Sequence, residues 1–118
     1  ITMENVHSIR AKVVVEAANG PTTYPAEQVL FSKGIEVLPD ILMNAGGVIV
    51  SYFEWLLNKN SRQWELEEVD QKLKKMIWKA CDNVKRLREK YTCSPRDAAY
   101  AVALERMQIV YDQRGIFP

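Results

Sequence analysis

Long hydrophobic runs are missing from this chain of 118 residues. No apolar stretch approaches the ~18 residues of a membrane span, and the opening residues lack the charged-then-apolar order of a signal segment. Histidine is nearly absent. The one example, His7, sits in a polar segment with no thiol or carboxylate pair close by in sequence, which argues against a metal centre or a general base. Cysteine is scarce as well: Cys81 and Cys93 are too few and too far apart for a metal framework. A single disulfide between them has no support in the pattern, so reduced thiols in a cytoplasmic or mitochondrial-matrix compartment are expected. Charge of one sign is not gathered anywhere. The 16 Lys and Arg against 15 Asp and Glu leave a formal net charge of +1, which excludes a nucleic-acid or membrane-surface footprint and leaves small polar metabolites as ligands. No Gly-x-Gly-x-x-Gly follows a predicted strand, and no acidic residue stands ~20 positions beyond one, so a pyrophosphate-gripping loop is lacking. The opening Ile1-Thr2-Met3-Glu4-Asn5-Val6 has no start-like character and predicts a piece of a longer chain.

What is present is enough for one structural unit, burying about 60–70% of the surface its unfolded form exposes. Thr2 is placed to cap a short turn reaching Ile9, and the β-branched run Val13 to Val15 predicts a strand covered on both faces. Asn19-Gly20-Pro21 ends it. Thr22 or Thr23 caps a helix with Pro25 in its first turn and Gly34 at its end, and a second strand follows over Ile35 to Leu38. Strand, helix, strand of these lengths make a right-handed parallel crossover, with its ligand crevice beyond the carboxyl ends of the strands. Asn19 and Asn44 both fall at that edge. A helix is predicted from Gly47 to about Lys59. A second, long one carries Leu66, Val69, Leu73, Met76, Ile77, Ala80, Cys81, Val84 and Leu87 at spacings of three and four. Ser94-Pro95-Arg96-Asp97 then supplies a cap, a first-turn proline and an acidic residue, launching a last helix that Gly115 stops.

The stretch Asn44-Ala45-Gly46-Gly47-Val48-Ile49-Val50-Ser51 opens a helix with a polar residue and two glycines ahead of an apolar run. Such an opening lets a ligand approach the backbone and leaves the first helical N–H groups free; the alternative is a tight turn packed under a neighbouring strand. Asn19 carries an amide that suits a ribose hydroxyl, or one that bonds only to its own Asn-Gly-Pro turn. Val48 and Ser51, three apart, face one side of the helix, though an interior serine bonded back to its own helix is the competing reading. Tyr52, Phe53 and Trp55 read as core or subunit interface rather than a cofactor stack. Glu16, at the end of the first strand, is either an ionised ligand or a structural hydrogen-bond acceptor.

Taken together, Glu16-Ala17-Ala18-Asn19-Gly20-Pro21-Thr22-Thr23, Pro39-Asp40-Ile41-Leu42-Met43-Asn44-Ala45-Gly46-Gly47-Val48 and Ser51-Tyr52-Phe53-Glu54-Trp55 resemble the C-terminal part of glutamate dehydrogenase. The similarity covers nearly the whole chain, including Arg96-Asp97-Ala98-Ala99-Tyr100 and Arg114-Gly115. The resemblance implies an α/β fold in which residues 1–60 are the second half of a Rossmann-like NAD(P)-binding domain and residues 61–118 a helical C-terminal segment packed on it. It implies cofactor-binding roles for Asn19 at the nicotinamide ribose and Asn44 at the carboxamide or the amino-acid substrate. Gly46 and Gly47 would admit the ring, while Val48 and Ser51 would line the substrate pocket, with Ser51 meeting the far carboxylate of glutamate. NAD or NADP would be the cofactor, L-glutamate and 2-oxoglutarate the substrate pair, and a homo-oligomer the assembly. The family's catalytic lysine and aspartate belong upstream, so no catalytic residue and no metal ligand is expected here, and the isolated chain is expected to be inactive. Leucine, phenylalanine and valine dehydrogenases share Asn-Ala-Gly-Gly, but Gly20-Pro21-Thr22-Thr23 and Ser51-Tyr52-Phe53-Glu54-Trp55 are closer to the glutamate branch, and a hydroxyl at Ser51 suits a substrate ending in carboxylate. The reading from another class is a catalytically inert oligomerising module, since two strands taken from a larger sheet present unpaired edges.

Overall fold

A computed structural model describes residues 1–115; residues 116–118, the end of the second predicted segment, lie outside the described residues. A single 3-10 turn, Val6–Ser8, precedes β1 (Val13–Val15), α1 (Tyr24–Ser32), β2 (Glu36–Leu38), α2 (Asp40–Met43), α3 (Ala45–Asn60), α4 (Leu66–Tyr91) and α5 (Pro95–Arg114). The architecture is mostly helical with two parallel strands, paired Val13 to Glu36, Val14 to Val37 and Val15 to Leu38.

The crossover forms as its local chemistry predicts. Thr23 occupies the N-cap of α1 with Pro25 in the first turn, and Gly34, at φ 72°, turns the chain out of the helix in a conformation a side chain would strain. One apolar cluster holds this half together: Val6, Ala26, Leu30 and Val37 are buried, and Val14 and Ile35 pack against them. Burying a leucine such as Leu30 contributes about 1.5–3 kcal/mol relative to leaving it exposed.

The expectation that β1 is covered on both faces does not hold within this chain. Successive strand residues point to opposite sides, and α1 covers only the side that Val14 faces. Val13 and Val15 stay 47% and 54% exposed.

Ser94 caps α5 by accepting from the Asp97 N–H at 3.1 Å while its hydroxyl donates to the Asp97 carboxylate at 2.8 Å, an arrangement whose cap is worth about 1 kcal/mol. A second apolar cluster, Val84, Leu87, Ala98 and Val102, clamps the end of α4 against the start of α5, with Leu42 of α2 packed on it. The predicted apolar stripe of α4 is therefore buried only near its C-terminal end. Leu66 and Met76 are exposed, as is Trp78. The three aromatics of α3 divide: Phe53 is buried edge-on against Trp64, with ring centroids 5.5 Å apart, whereas Tyr52 and Trp55 are exposed and stack on each other at 5.9 Å. Cys81 and Cys93 are both free thiols.

Candidate functional site

The site is built where both strands end. After β1 the chain passes Glu16 and reaches the Asn19-Gly20-Pro21 turn, in which Gly20 takes a positive φ of 57°. After β2 it enters α2 at Asp40 and, one turn later, reaches Asn44, the residue joining α2 to α3. The two loops meet. Asn44 Nδ2 donates to Asn19 Oδ1, joining residues 25 apart in sequence, and the pair is open to solvent. The Asn19 side chain is thus engaged across the crevice rather than only with its own turn.

Gly46 and Gly47 follow in the first turn of α3. Apart from its chain neighbours and the backbone of its own helix, a Cβ built on either would meet no atom of the described residues within 4 Å, and neither residue needs a positive φ. Packing under a neighbouring strand is therefore not why glycine stands at these positions among the described residues. Glycine costs up to about 1 kcal/mol against alanine in a helix, and nothing among the described residues requires that cost. Val48 and Ser51 lie beyond them on α3, and both are exposed, Val48 at 68%. Ser51 is not an interior serine. The structure brings Asn19 and Asn44 into contact and sets Gly46 and Gly47 directly after Asn44, with Val48 and Ser51 farther along the same helix.

Beneath the asparagines lies a buried ionic cluster centred on Arg96, in the first turn of α5. Its Nε donates to Glu27 Oε2 of α1 at 2.6 Å, its Nη1 to Asp40 Oδ1 at 2.9 Å and its Nη2 to Glu16 Oε2. Burial alone would lower the guanidinium pKa, but the bonds to Glu27, Asp40 and Glu16 more than offset it and raise it above its ordinary value. Glu16 Oε2 also accepts from the Asp40 N–H at 3.0 Å. Glu16 is consequently a structural acceptor, the second of its two sequence readings. Three carboxylates share one cation, and among the described residues Glu16 Oε1, Glu27 Oε1 and the Thr22 hydroxyl have no partner.

Asp40 ties this cluster to the site, because its Oδ2 accepts from the Gly20 N–H at 2.7 Å and its Oδ1 from the Ile41 N–H at 2.8 Å. The Gly20 bond is the largest influence holding the carboxyl below its usual range. Burial works against it, and Arg96 and Ile41 add to it. A depressed folded-state pKa contributes stability that is present above the unfolded value, about 3.9, and lost as pH falls through the folded value. The melting temperature is therefore expected to drop as pH falls below about 4. Asp40→Asn should lose part of that acid slope, and an unchanged slope would show that Asp40 is not its source.

Arg96, Glu27 and Asp40 went unassigned in the sequence reading, although a signal existed. Glu27 sits beside Ala26 on the face that carries Leu30, and Glu16 ends an apolar run. Two acids in buried settings demand a cation. A separate concavity of about 590 Å³ lies between β2, α2 and α4 and is lined by Leu38, Leu42 and Val84 among others. It includes neither asparagine. Among the described residues no helix is long and apolar enough to cross a membrane, and no group of His, Cys, Asp and Glu could hold a metal ion.

Comparison with known proteins bears on the same residues. The family model described as Glutamate/Leucine/Phenylalanine/Valine dehydrogenase matches residues 1–115. The chain is 48% identical to NAD-specific glutamate dehydrogenase A of Halobacterium salinarum over 118 residues, covering 100% of this chain and 27% of that protein. Among solved structures, glutamate dehydrogenase from Peptoniphilus asaccharolyticus superposes with a TM-score of 0.92 at 40% identity, over 99% of this chain and 30% of that one. The hetero-hexameric glutamate dehydrogenase from Thermus thermophilus gives a TM-score of 0.91 at 35% identity, over 98% of this chain and 28% of that one. The chain thus spans under a third of the length of these proteins. With its paired asparagines, glycine-opened helix and parallel strands all inside the matched region, this chain belongs to the glutamate/leucine/phenylalanine/valine dehydrogenase family.

Proposed function

We propose that the chain is the C-terminal portion of an NAD(P)-dependent glutamate dehydrogenase, contributing the nicotinamide end of the cofactor site and one wall of the substrate pocket. Residues 1–60 are the second half of a Rossmann-like nucleotide-binding domain, and residues 61–118 are the helical segment packed on it. The observation that carries this reading is the Asn44–Asn19 amide pair at the carboxyl ends of two parallel strands, beside glycines that no protein atom crowds. The residues present fit that end of the cofactor: the amides can donate to and accept from ribose hydroxyls or a carboxamide, and Gly46 and Gly47 leave room for a flat ring against the backbone. When bound, the nicotinamide supplies the hydride acceptor for oxidation of glutamate, after which water releases 2-oxoglutarate and ammonia. Asn19 and Asn44 orient the ring end, Val48 walls the pocket, and Ser51 donates its hydroxyl to the far carboxylate of glutamate. The side-chain carboxylate of glutamate is what separates it from leucine, phenylalanine and valine, and a hydroxyl at Ser51 suits it.

The test is a cofactor titration on two proteins. The 118-residue chain is expected to bind NADH weakly or not at all and to be inactive, since no phosphate-gripping loop is in its sequence. The complete enzyme, with the upstream sequence in place, is expected to bind the cofactor and oxidise glutamate. A complete enzyme that turns over leucine in preference would move the assignment to a sister branch.

Exposed apolar residues favour a second property. Val48, Trp55, Leu104 and Ile109 are more than half exposed on α3 and α5, and β1 leaves Val13 and Val15 open. Such surface calls for a covering partner, a second copy of this chain or the rest of the enzyme. The purified chain is expected to self-associate in light scattering, and a monodisperse monomer would exclude this.

A further inference from the structure

The cluster under the site does more than join α5 to the strands. Asp40 closes a ring: its carboxylate holds the Gly20 N–H at 2.7 Å, its carbonyl accepts from the Asn44 N–H at 2.9 Å, and Asn44 returns to Asn19 through the side-chain amide. Both cofactor-facing asparagines are thereby fixed by one residue. Asp40 in turn is held by Arg96, whose three nitrogens reach carboxylates on three different segments. Arg96 is only 14% exposed at its side chain, and Glu16 and Glu27 are almost completely buried, so the guanidinium has little freedom to turn.

Resting on the cofactor role of Asn19 and Asn44 proposed above, we propose that Arg96 is a positioning residue for the nicotinamide site, acting through Asp40 to set the separation of the two asparagines. Arg96 hydrogen-bonds to neither asparagine, only to Glu27, Asp40 and Glu16. Its planar fork holds the carboxylates of Glu16, Glu27 and Asp40 in fixed directions relative to one another, Asp40 through the Nη1 bond, which a point charge on a flexible stem cannot do. A displaced Asp40 releases the Gly20 turn and the start of α2 together, so the amide pair loses its spacing.

The experiment uses the complete enzyme, with NADH fluorescence titration, steady-state kinetics and thermal melts on Arg96→Lys, Asp40→Asn and Asn19→Ala. Arg96→Lys keeps the charge and loses the fork; its dissociation constant for NADH is expected to rise about tenfold, with the KM for glutamate changing less than about twofold, in fully folded protein. Should Arg96→Lys fail to fold, Asp40→Asn carries the test, because it removes a charge from an acid-rich cluster. It is expected to fold and still to weaken NADH binding. Unchanged NADH affinity in a folded Arg96→Lys enzyme, or in Asp40→Asn where the lysine variant does not fold, would overturn the proposal and leave the cluster a purely structural clamp. Asn19→Ala separates the two levels. If it leaves NADH affinity untouched, the cofactor reading itself fails; if it weakens binding while the Asp40 and Arg96 variants do not, only the positioning role fails.

Discussion

Arg96→Met is expected to cost the fold about 3–5 kcal/mol, the largest loss from any single substitution considered for this chain. Methionine keeps the apolar stem but not the guanidinium, so Glu16, Glu27 and Asp40 lose their shared cation. Each of those carboxylates was desolvated on folding, and without Arg96 their mutual repulsion acts in a medium that screens poorly. The surface pairs offer a contrast. Arg86 and Lys90 both reach Glu105, but the two cations are more than half exposed and Glu105 is partly exposed, and severing such a pair changes stability by about 0–1 kcal/mol. Urea unfolding of Arg96→Met beside Arg86→Met measures the difference directly. Comparable small losses in both would mean that the buried cluster is worth no more than a surface pair.

Ser51→Ala in the complete enzyme is expected to lower kcat/KM for glutamate by about 10- to 100-fold, the equivalent of one hydrogen bond to a charged group, about 1.5–3 kcal/mol. NADH affinity should stay within about twofold, because Ser51 lies nearly two helical turns beyond Asn44 on α3. Ser51 is exposed in this chain, and a melting temperature of the Ser51→Ala enzyme equal to that of the parent separates a loss of activity from a folding effect. A kcat/KM for glutamate equal to that of the parent enzyme would remove Ser51 from the pocket.

The parts of this architecture that were legible in the sequence are those governed by local chemistry. Pro25 and Gly34 bracket α1, and Ser94, Pro95 and Asp97 start α5, because each residue restricts its own backbone or satisfies its neighbour's N–H, whereas β1 stops at Val15, ahead of the Asn19-Gly20-Pro21 turn expected to end it. The parallel crossover followed from these boundaries, and with it the placing of Asn19 and Asn44 at one edge. Two things were not legible. The exposure of β1 and of the first part of α4 depends on what covers them, and an apolar residue looks the same in sequence whether its partner lies in this chain or beyond it. The Arg96 cluster draws on four segments separated by up to 80 residues, and charge pairing at such distances leaves no periodic trace. Arg96 stood within a capping motif whose more obvious features were the serine and the aspartate. The open space around Gly46 and Gly47 is visible only in three dimensions: outside their chain neighbours and their own helix backbone, no atom of the described residues lies within 4 Å of where a Cβ would sit.

The most direct measurement is a crystal structure of the complete enzyme with its nicotinamide cofactor bound. The Asn19 amide is expected at hydrogen-bond distance, about 2.7–3.2 Å, from the nicotinamide ribose, with the ring lying over Gly46 and Gly47. A nicotinamide seated elsewhere, with Asn19 and Asn44 still bonded only to each other, would contradict it.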